Sequence, residues 1–271
     1  EQLQLLIGLR YDRFEADFLN RRTGARLSTT DDLWSPRLGL VFKPQDNLAF
    51  YASYSRSFLP RSGEQLTSLT AANSAFEPEQ FDNYEVGTKW DVSPILSLTA
   101  ALFQLDRTNV VVPDPANPGQ SILVDGQRSR GLELGATGRI NAQWTIIGAY
   151  TWLEAEITAN QSATVLAGNR LANTAEHSFS VWTRYDFTPR FGAGAGVIYE
   201  GERFANADNT QVMPAYTRVD GALYYGLNDS IDLQLNVENL FDEDYFASAH
   251  TNNNITPGAP RSFRVGLTAR F

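Results

Sequence analysis

The stretch Ile231-Asp232-Leu233-Gln234-Leu235-Asn236-Val237-Glu238, with its sequel Ser262-Phe263-Arg264-Val265-Gly266-Leu267-Thr268-Ala269-Arg270-Phe271, decides the fold. In the first part Ile231, Leu233, Leu235 and Val237 alternate with Asp232, Gln234, Asn236 and Glu238. In the second part Phe263, Val265, Leu267, Ala269 and Phe271 alternate with Ser262, Arg264, Gly266, Thr268 and Arg270. A period of two over this length means β-strand, because successive side chains point to opposite faces. The polar faces carry charge, which a dry sandwich core accepts only when it is paired. The chain also stops on an aromatic residue of the apolar face. Both features suit a wall that is wet on one side and faces lipid on the other, as in a transmembrane β-barrel whose last strand closes the wall.

Upstream of this stretch the same unit recurs. A first alternating strand runs from about Leu3 to Phe14, and a polar loop is expected from about Ala16 to Asp32. Short turns follow near 45, 93, 142, 188 and 228, built on Lys43-Pro44-Gln45-Asp46-Asn47, Asp91-Val92-Ser93-Pro94, Asn141-Ala142-Gln143, Thr188-Pro189-Arg190 and Asn228-Asp229. Pro, Asn and Asp set or tolerate the backbone angles that such turns require. Between the turns lie long connections: Leu59 to Gln80, Asn109 to Gly126, a loop ending near Leu171, the segment after Glu200 and the segment after Glu238. The short turns recur every 40 to 49 residues, with two long strands per repeat. This predicts about twelve antiparallel strands and no helix, with short turns at one end of the wall and long loops at the other. A β-propeller has a similar repeat length, but its blades need four short strands each.

Composition limits the alternatives. The chain has 271 residues, a formal charge of -9 and no cysteine, with sixteen Phe, eleven Tyr and five Trp. The negative balance argues against nucleic acid, which demands clustered Lys and Arg. Without cysteine there is no disulfide framework and no Cys-based zinc site. No run of about 18 apolar residues is present, so a transmembrane helix is not expected, whereas alternating barrel strands escape that criterion. The opening at Glu1, without Met or a signal peptide, reads as the C-terminal portion of something longer.

Aromatic spacing and charge parity extend the barrel reading. Trp144, Ile146, Gly148, Tyr150 and Trp152 share a face. The two Trp are eight residues apart, about 26 Å along a strand and roughly 20 Å of height at a tilt of about 40°, near the apolar band between aromatic girdles. Tyr84 and Trp90, Phe179 and Phe187, and Tyr216 and Tyr225 also sit near strand ends, although the last pair differs in parity. Arg10, Asp12, Arg37, Lys89, Glu133, Arg139, Arg184, Glu200, Asp220, Asp232, Glu238, Arg264 and Arg270 all have the parity opposite to the apolar set, as the lining of a wet interior would.

Several segments resemble a known family. Leu235-Asn236-Val237-Glu238-Asn239-Leu240-Phe241-Asp242-Glu243-Asp244-Tyr245 is similar to the penultimate-strand motif of TonB-dependent outer-membrane receptors. Pro257-Gly258-Ala259-Pro260-Arg261-Ser262-Phe263, running on to Phe271, is similar to their final strand. Tyr84-Glu85-Val86-Gly87-Thr88-Lys89-Trp90, Ala100-Ala101-Leu102-Phe103 and Arg130-Gly131-Leu132-Glu133-Leu134 point to the siderophore-receptor branch, with the catecholate-type receptors most similar. The resemblance implies that residues 1–271 are the C-terminal part of a 22-stranded barrel, about twelve strands, without the N-terminal plug. It also implies a Gram-negative outer-membrane location, uptake of a ferric siderophore, and energy from the TonB complex acting on a part not included here. No resident cofactor is implied, because iron travels only within the siderophore. Arg264, Gly266, Ala269 and Phe271 resemble the insertion signal read by the barrel-assembly machinery. Cobalamin, a sugar or another metal complex are alternative ligands, and a barrel enzyme is an alternative class.

His177 and His250 share no metal-ligand spacing, and Asp242-Glu243-Asp244 lacks the alternating ligands of a calcium loop. Glu154 and Glu156 read as the exit of a strand from the membrane, and no nucleophile elbow, P-loop or dinucleotide fingerprint occurs. The expectation is therefore no catalytic and no metal residues. An anionic, aromatic ferric catecholate favours arginine beside aromatic side chains. The candidates in the expected outer segments are Arg61 and Phe76, Arg128 and Arg130, and Arg203 with Phe204.

Overall fold

The computed structural model describes residues 2–22, 24–60, 76–114, 117 and 120–270. Twelve strands form one antiparallel sheet: β1 (Leu3–Leu19), β2 (Arg26–Gln45), β3 (Leu48–Leu59), β4 (Glu79–Ser93), β5 (Leu96–Thr108), β8 (Gln127–Arg139), β9 (Trp144–Ile157), β10 (His177–Thr188), β11 (Phe191–Glu200), β14 (Tyr216–Gly226), β15 (Ile231–Glu238) and β18 (Ser262–Ala269). Each pairs with its neighbours in chain order, so the sheet is a simple meander. Among the described residues, three short hairpins lie in the long connections: β6 (Val110–Pro113) with β7 (Ser121–Val124), β12 (Arg203–Phe204) with β13 (Val212–Met213), and β16 (Phe246–Thr251) with β17 (Asn254–Pro257). No helix among the described residues is long and apolar enough to cross a membrane, which says nothing of a β-barrel.

The register carries the two faces across the whole sheet. Leu5 stands opposite Leu40, Leu40 opposite Ala52, Ala52 opposite Val86 and Val86 opposite Leu102. The row continues through Leu132, Trp152 and His177. Directly paired residues share a face, and a parallel row on this face, Trp144, Tyr185, Ala193, Leu223, Leu235 and Val265, carries its apolar character on to β18. The face is also bare: Ile7 is 70% exposed and Val265 69%. An exposed apolar surface of this extent needs a nonaqueous partner. The other face carries every charged residue expected there, including Arg37 opposite Ser55, Glu133 opposite Ala101 and Asp232 opposite Thr268. Ion pairs knit it together: Arg184 to Asp186 at 2.8 Å, Arg218 to Asp220 at 2.8 Å and Arg270 to Asp232 at 2.7 Å. Trp182 lies flat on this face over Gly194 and Gly196, where a Cβ would sit 2.7 and 2.5 Å from its ring. The two glycines are the space that the indole occupies.

The expected polar loop at 16–32 is corrected. β1 and β2 stay paired from Leu3 opposite Phe42 to Leu19 opposite Arg26, so the connection is only the tip of a long hairpin. The strands persist because polar residues can pair there as well as apolar ones: Arg13 bonds Glu15 at 2.8 Å and lies 3.7 Å from Asp32, and the Tyr11 hydroxyl donates to Asp32 at 2.5 Å. Beyond a bilayer neither face need be apolar, so hydrophobic alternation ceases to mark the strand.

The short turns and the long connections lie at opposite ends of the wall. Orientation is checked by cysteine labelling, since this chain has no cysteine of its own. With the long connections expected outside the cell and the short turns inside the outer membrane, Ser162→Cys in cells carrying the full-length protein is expected to react with a membrane-impermeant maleimide. Asn228→Cys is expected to react only after the outer membrane is opened. The reverse pattern contradicts the orientation.

Candidate functional site

The long connections of the C-terminal half form one packed layer at the end of the wall opposite the short turns. Its small core is Ala205, Met213 and Ala249, with Ile255 against them, and Met213 is fully buried. Three asparagines at positive φ tie the layer together: Asn173 (58°), Asn209 (55°) and Asn239 (54°). Asparagine tolerates this region better than other non-glycine residues. Asn173 accepts from the Ala249 N–H at 2.7 Å and donates to the Ala249 carbonyl at 2.8 Å. Asn209 does the same with Arg170, at 2.7 and 2.9 Å. Asn239 is 1% exposed; it accepts from the Glu243 N–H at 2.8 Å and donates to the carbonyls of Glu243 and Ala259 at 2.9 and 3.1 Å. In each case a side-chain amide replaces a strand neighbour for backbone groups that would otherwise be unpaired.

Arg203 is a second fastener. Only 5% exposed, it donates to the carbonyls of Phe246 and Ala247 at 2.6 and 3.1 Å, joining the β12–β13 connection to β16. Its guanidinium lies 5.7 Å from the centre of the Tyr216 ring. Tyr216 stacks on Tyr245 at 4.4 Å between ring centres, and the Tyr245 hydroxyl accepts from Arg218 at 3.1 Å. Thus an arginine–tyrosine–tyrosine–arginine column stands where the layer meets the charged face. Gly258 lets Tyr245 lie there, since a Cβ would be 2.2 Å from its ring. At the edge of the layer the Asp208 carboxyl accepts from the Thr210 backbone N–H at 3.1 Å, the Thr210 hydroxyl at 2.9 Å and Asn252 at 2.8 Å. The Thr210 backbone bond, with the two side-chain bonds, holds this carboxyl below the usual range. The tie is complete above the ordinary carboxylate pKa and weakens as pH falls through the lowered one.

The expected ligand residues fall in different places. Arg61 lies outside the described residues, as does Phe271 of the terminal signal. Phe76 is partly buried beside β4. Arg128 and Arg130 share parity with Leu132 and Leu134, which puts them on the apolar, outward face and not the charged one. Each has a carboxylate partner, Asp106 at 2.7 Å and Glu154 at 2.8 Å. Phe204 packs under Arg170, whose guanidinium is 5.6 Å from the ring centre. Arg203, as described, is committed to backbone carbonyls. Sequence reasoning gave Tyr216, Tyr245, Arg218 and the three asparagines no place in the site. Signals existed for Tyr216, an aromatic near a strand end, and for Asn239 and Tyr245, which bound the motif Asn239-Leu240-Phe241-Asp242-Glu243-Asp244-Tyr245. Among the described residues no group of three or more His, Cys, Asp or Glu is placed to hold a metal ion.

A family model described as TonB dependent receptor-like, beta-barrel, matches residues 1–240. The chain belongs to this family. This TonB-dependent receptor barrel segment superposes on the crystal structure of the siderophore receptor PiuA from Acinetobacter baumannii with a TM-score of 0.89 and 32% identity, over 99% of this chain and 41% of that one. The closed form of the ferric-catecholate import receptor Fiu from Escherichia coli K12 gives 0.87 and 29%, over 100% of this chain and 42% of that one. The metal-pseudopaline receptor CntO of Pseudomonas aeruginosa is 34% identical over 100% of this chain and 39% of its own length. The chain therefore spans about two-fifths of the length of these relatives. The sheet is a stretch of receptor barrel wall, in which the exposed apolar face is the outside and the charged face lines the lumen.

Proposed function

We propose that the receptor to which this wall belongs sits in the outer membrane of a Gram-negative bacterium and imports a ferric siderophore, powered by TonB. The observation that carries this reading is the packed loop layer seated on a charged lumen wall, in a chain similar along its whole length to siderophore receptors. The layer has chemistry suited to an anionic, ring-bearing ligand in Arg218, held beside the stacked Tyr216 and Tyr245, where charge, hydrogen bonding and ring contact coincide. TonB engages a part of the receptor outside this chain, and no step requires a catalytic residue or resident cofactor. The surrounding lipid is the partner of the apolar face. Arg264, Gly266, Ala269 and Phe271 form the terminal sequence that we infer the barrel-assembly machinery reads by strand pairing.

In this reading Arg203 and Phe204 serve the ligand by holding the loop layer in shape. Arg128 and Arg130, on the outer wall, make no ligand contact. The test is uptake of labelled ferric catecholates by cells carrying the full-length receptor. Arg203→Ala is expected to cut uptake at least tenfold and Arg128→Ala less than twofold. Equal losses reject this division of roles. Uptake of another iron chelate, a pseudopaline complex or a sugar, with no catecholate uptake, rejects the ligand class.

A further inference from the structure

The lipid-facing wall has a pronounced hollow across β5, β8 and β9. Across β5, β8 and β9 the outward side chains shrink to Ala100, Ala136 and Gly148, with Ala136 directly opposite Gly148. Trp90 on one side and Tyr150 and Phe179 on the other rise around them, leaving an apolar hollow of about 660 Å³. Above it, on the same face of β8, stands Arg130, six residues from Ala136. That is roughly 20 Å along a strand and about 15 Å of height at the usual barrel tilt, just beyond half of an apolar band about 25 Å tall. Arg130 keeps a half-exposed side chain, 51%, and spends only its Nε and Nη2 on Glu154. A guanidinium has five N–H donors, so others remain for a second acceptor. An apolar trough about one hydrocarbon leaflet below an exposed, always-charged donor matches an acyl chain joined to a phosphate.

We propose that the hollow and Arg130 hold one phosphorylated lipid of the outer leaflet, its acyl chain over Ala136 and Gly148 and its phosphate oxygens accepting from Arg130. The inference rests on the outward face being lipid-facing, not on the ligand imported. The test uses full-length receptor in detergent, offered phosphatidylglycerol or diacylglycerol of the same chains, with bound lipid counted by native mass spectrometry. Wild type is expected to retain one phosphatidylglycerol per receptor, at least fivefold above diacylglycerol. Gly148→Phe and, in parallel, Ala136→Phe fill the trough and are expected to lower retention about tenfold while uptake persists. Arg130→Gln is expected to bring phosphatidylglycerol down to the diacylglycerol level. No retained lipid in wild type, equal retention of the two lipids, or unchanged retention in both phenylalanine variants overturns the proposal. Loss of siderophore uptake with lipid retention intact counts against the imported ligand alone.

Discussion

Asn239→Ala is expected to release the connection between β15 and β18 and to abolish most of the uptake proposed for the full-length receptor while the barrel still assembles. The side chain makes three hydrogen bonds to the backbone of Glu243 and Ala259, and its own N–H donates to Asp220 at 2.8 Å. Removing it strands buried backbone groups, each worth about 1–3 kcal/mol when left unmade, and partial relaxation brings the total to about 2–4 kcal/mol. Positive φ adds a smaller strain for alanine. The two contributions separate with Asn239→Gly, which is at ease at 54° but makes none of the bonds. Near-equal losses in both variants, read as uptake and as new protease cleavage within 240–261, assign the effect to hydrogen bonding. Full function in Asn239→Gly shows that only the backbone angle matters.

Leu235→Arg is expected to cost roughly 2–4 kcal/mol, the range for a cation on the lipid face near mid-bilayer, and to deplete assembled receptor. Leu235 stands opposite Leu223 and Val265 on the outward face. Its neighbour Gln234 is on the lumen face, where it donates to Asn236 at 2.7 Å, so Gln234→Arg is expected to change assembly little. The measurement is the amount of heat-modifiable folded barrel in isolated outer membranes. Equal tolerance at both positions contradicts the assignment of faces.

The faces were legible in sequence because a bilayer imposes one rule on every strand that crosses it, as Ile231 to Glu238 and Ser262 to Ala269 display. The rule lapses outside the bilayer. For that reason the hairpin around Arg13, Glu15 and Asp32 read as loop, although it is paired strand to its tip. Parity places Arg128 and Arg130: counted from Leu132, both fall on the outer wall. The loop layer was illegible for another reason. Asn173 bonds Ala249, and Asn209 bonds Arg170, across 76 and 39 residues. No local pattern reports a contact of that range. Arg203 looked like a ligand residue because arginine beside phenylalanine is also what recognition of an anion requires. Its burial against two carbonyls is a tertiary fact.

The most direct measurement of the central claim is a nitroxide scan of β15 in the full-length receptor, reconstituted in bilayers, with a spin label at each position from 231 to 238. Labels at Ile231, Leu233, Leu235 and Val237 are expected to collide with dissolved oxygen and to be shielded from a water-soluble nickel chelate. Labels at Asp232, Gln234, Asn236 and Glu238 are expected to show less oxygen contact. A period of two in this phase is the predicted result, and uniform accessibility or the opposite phase contradicts the account.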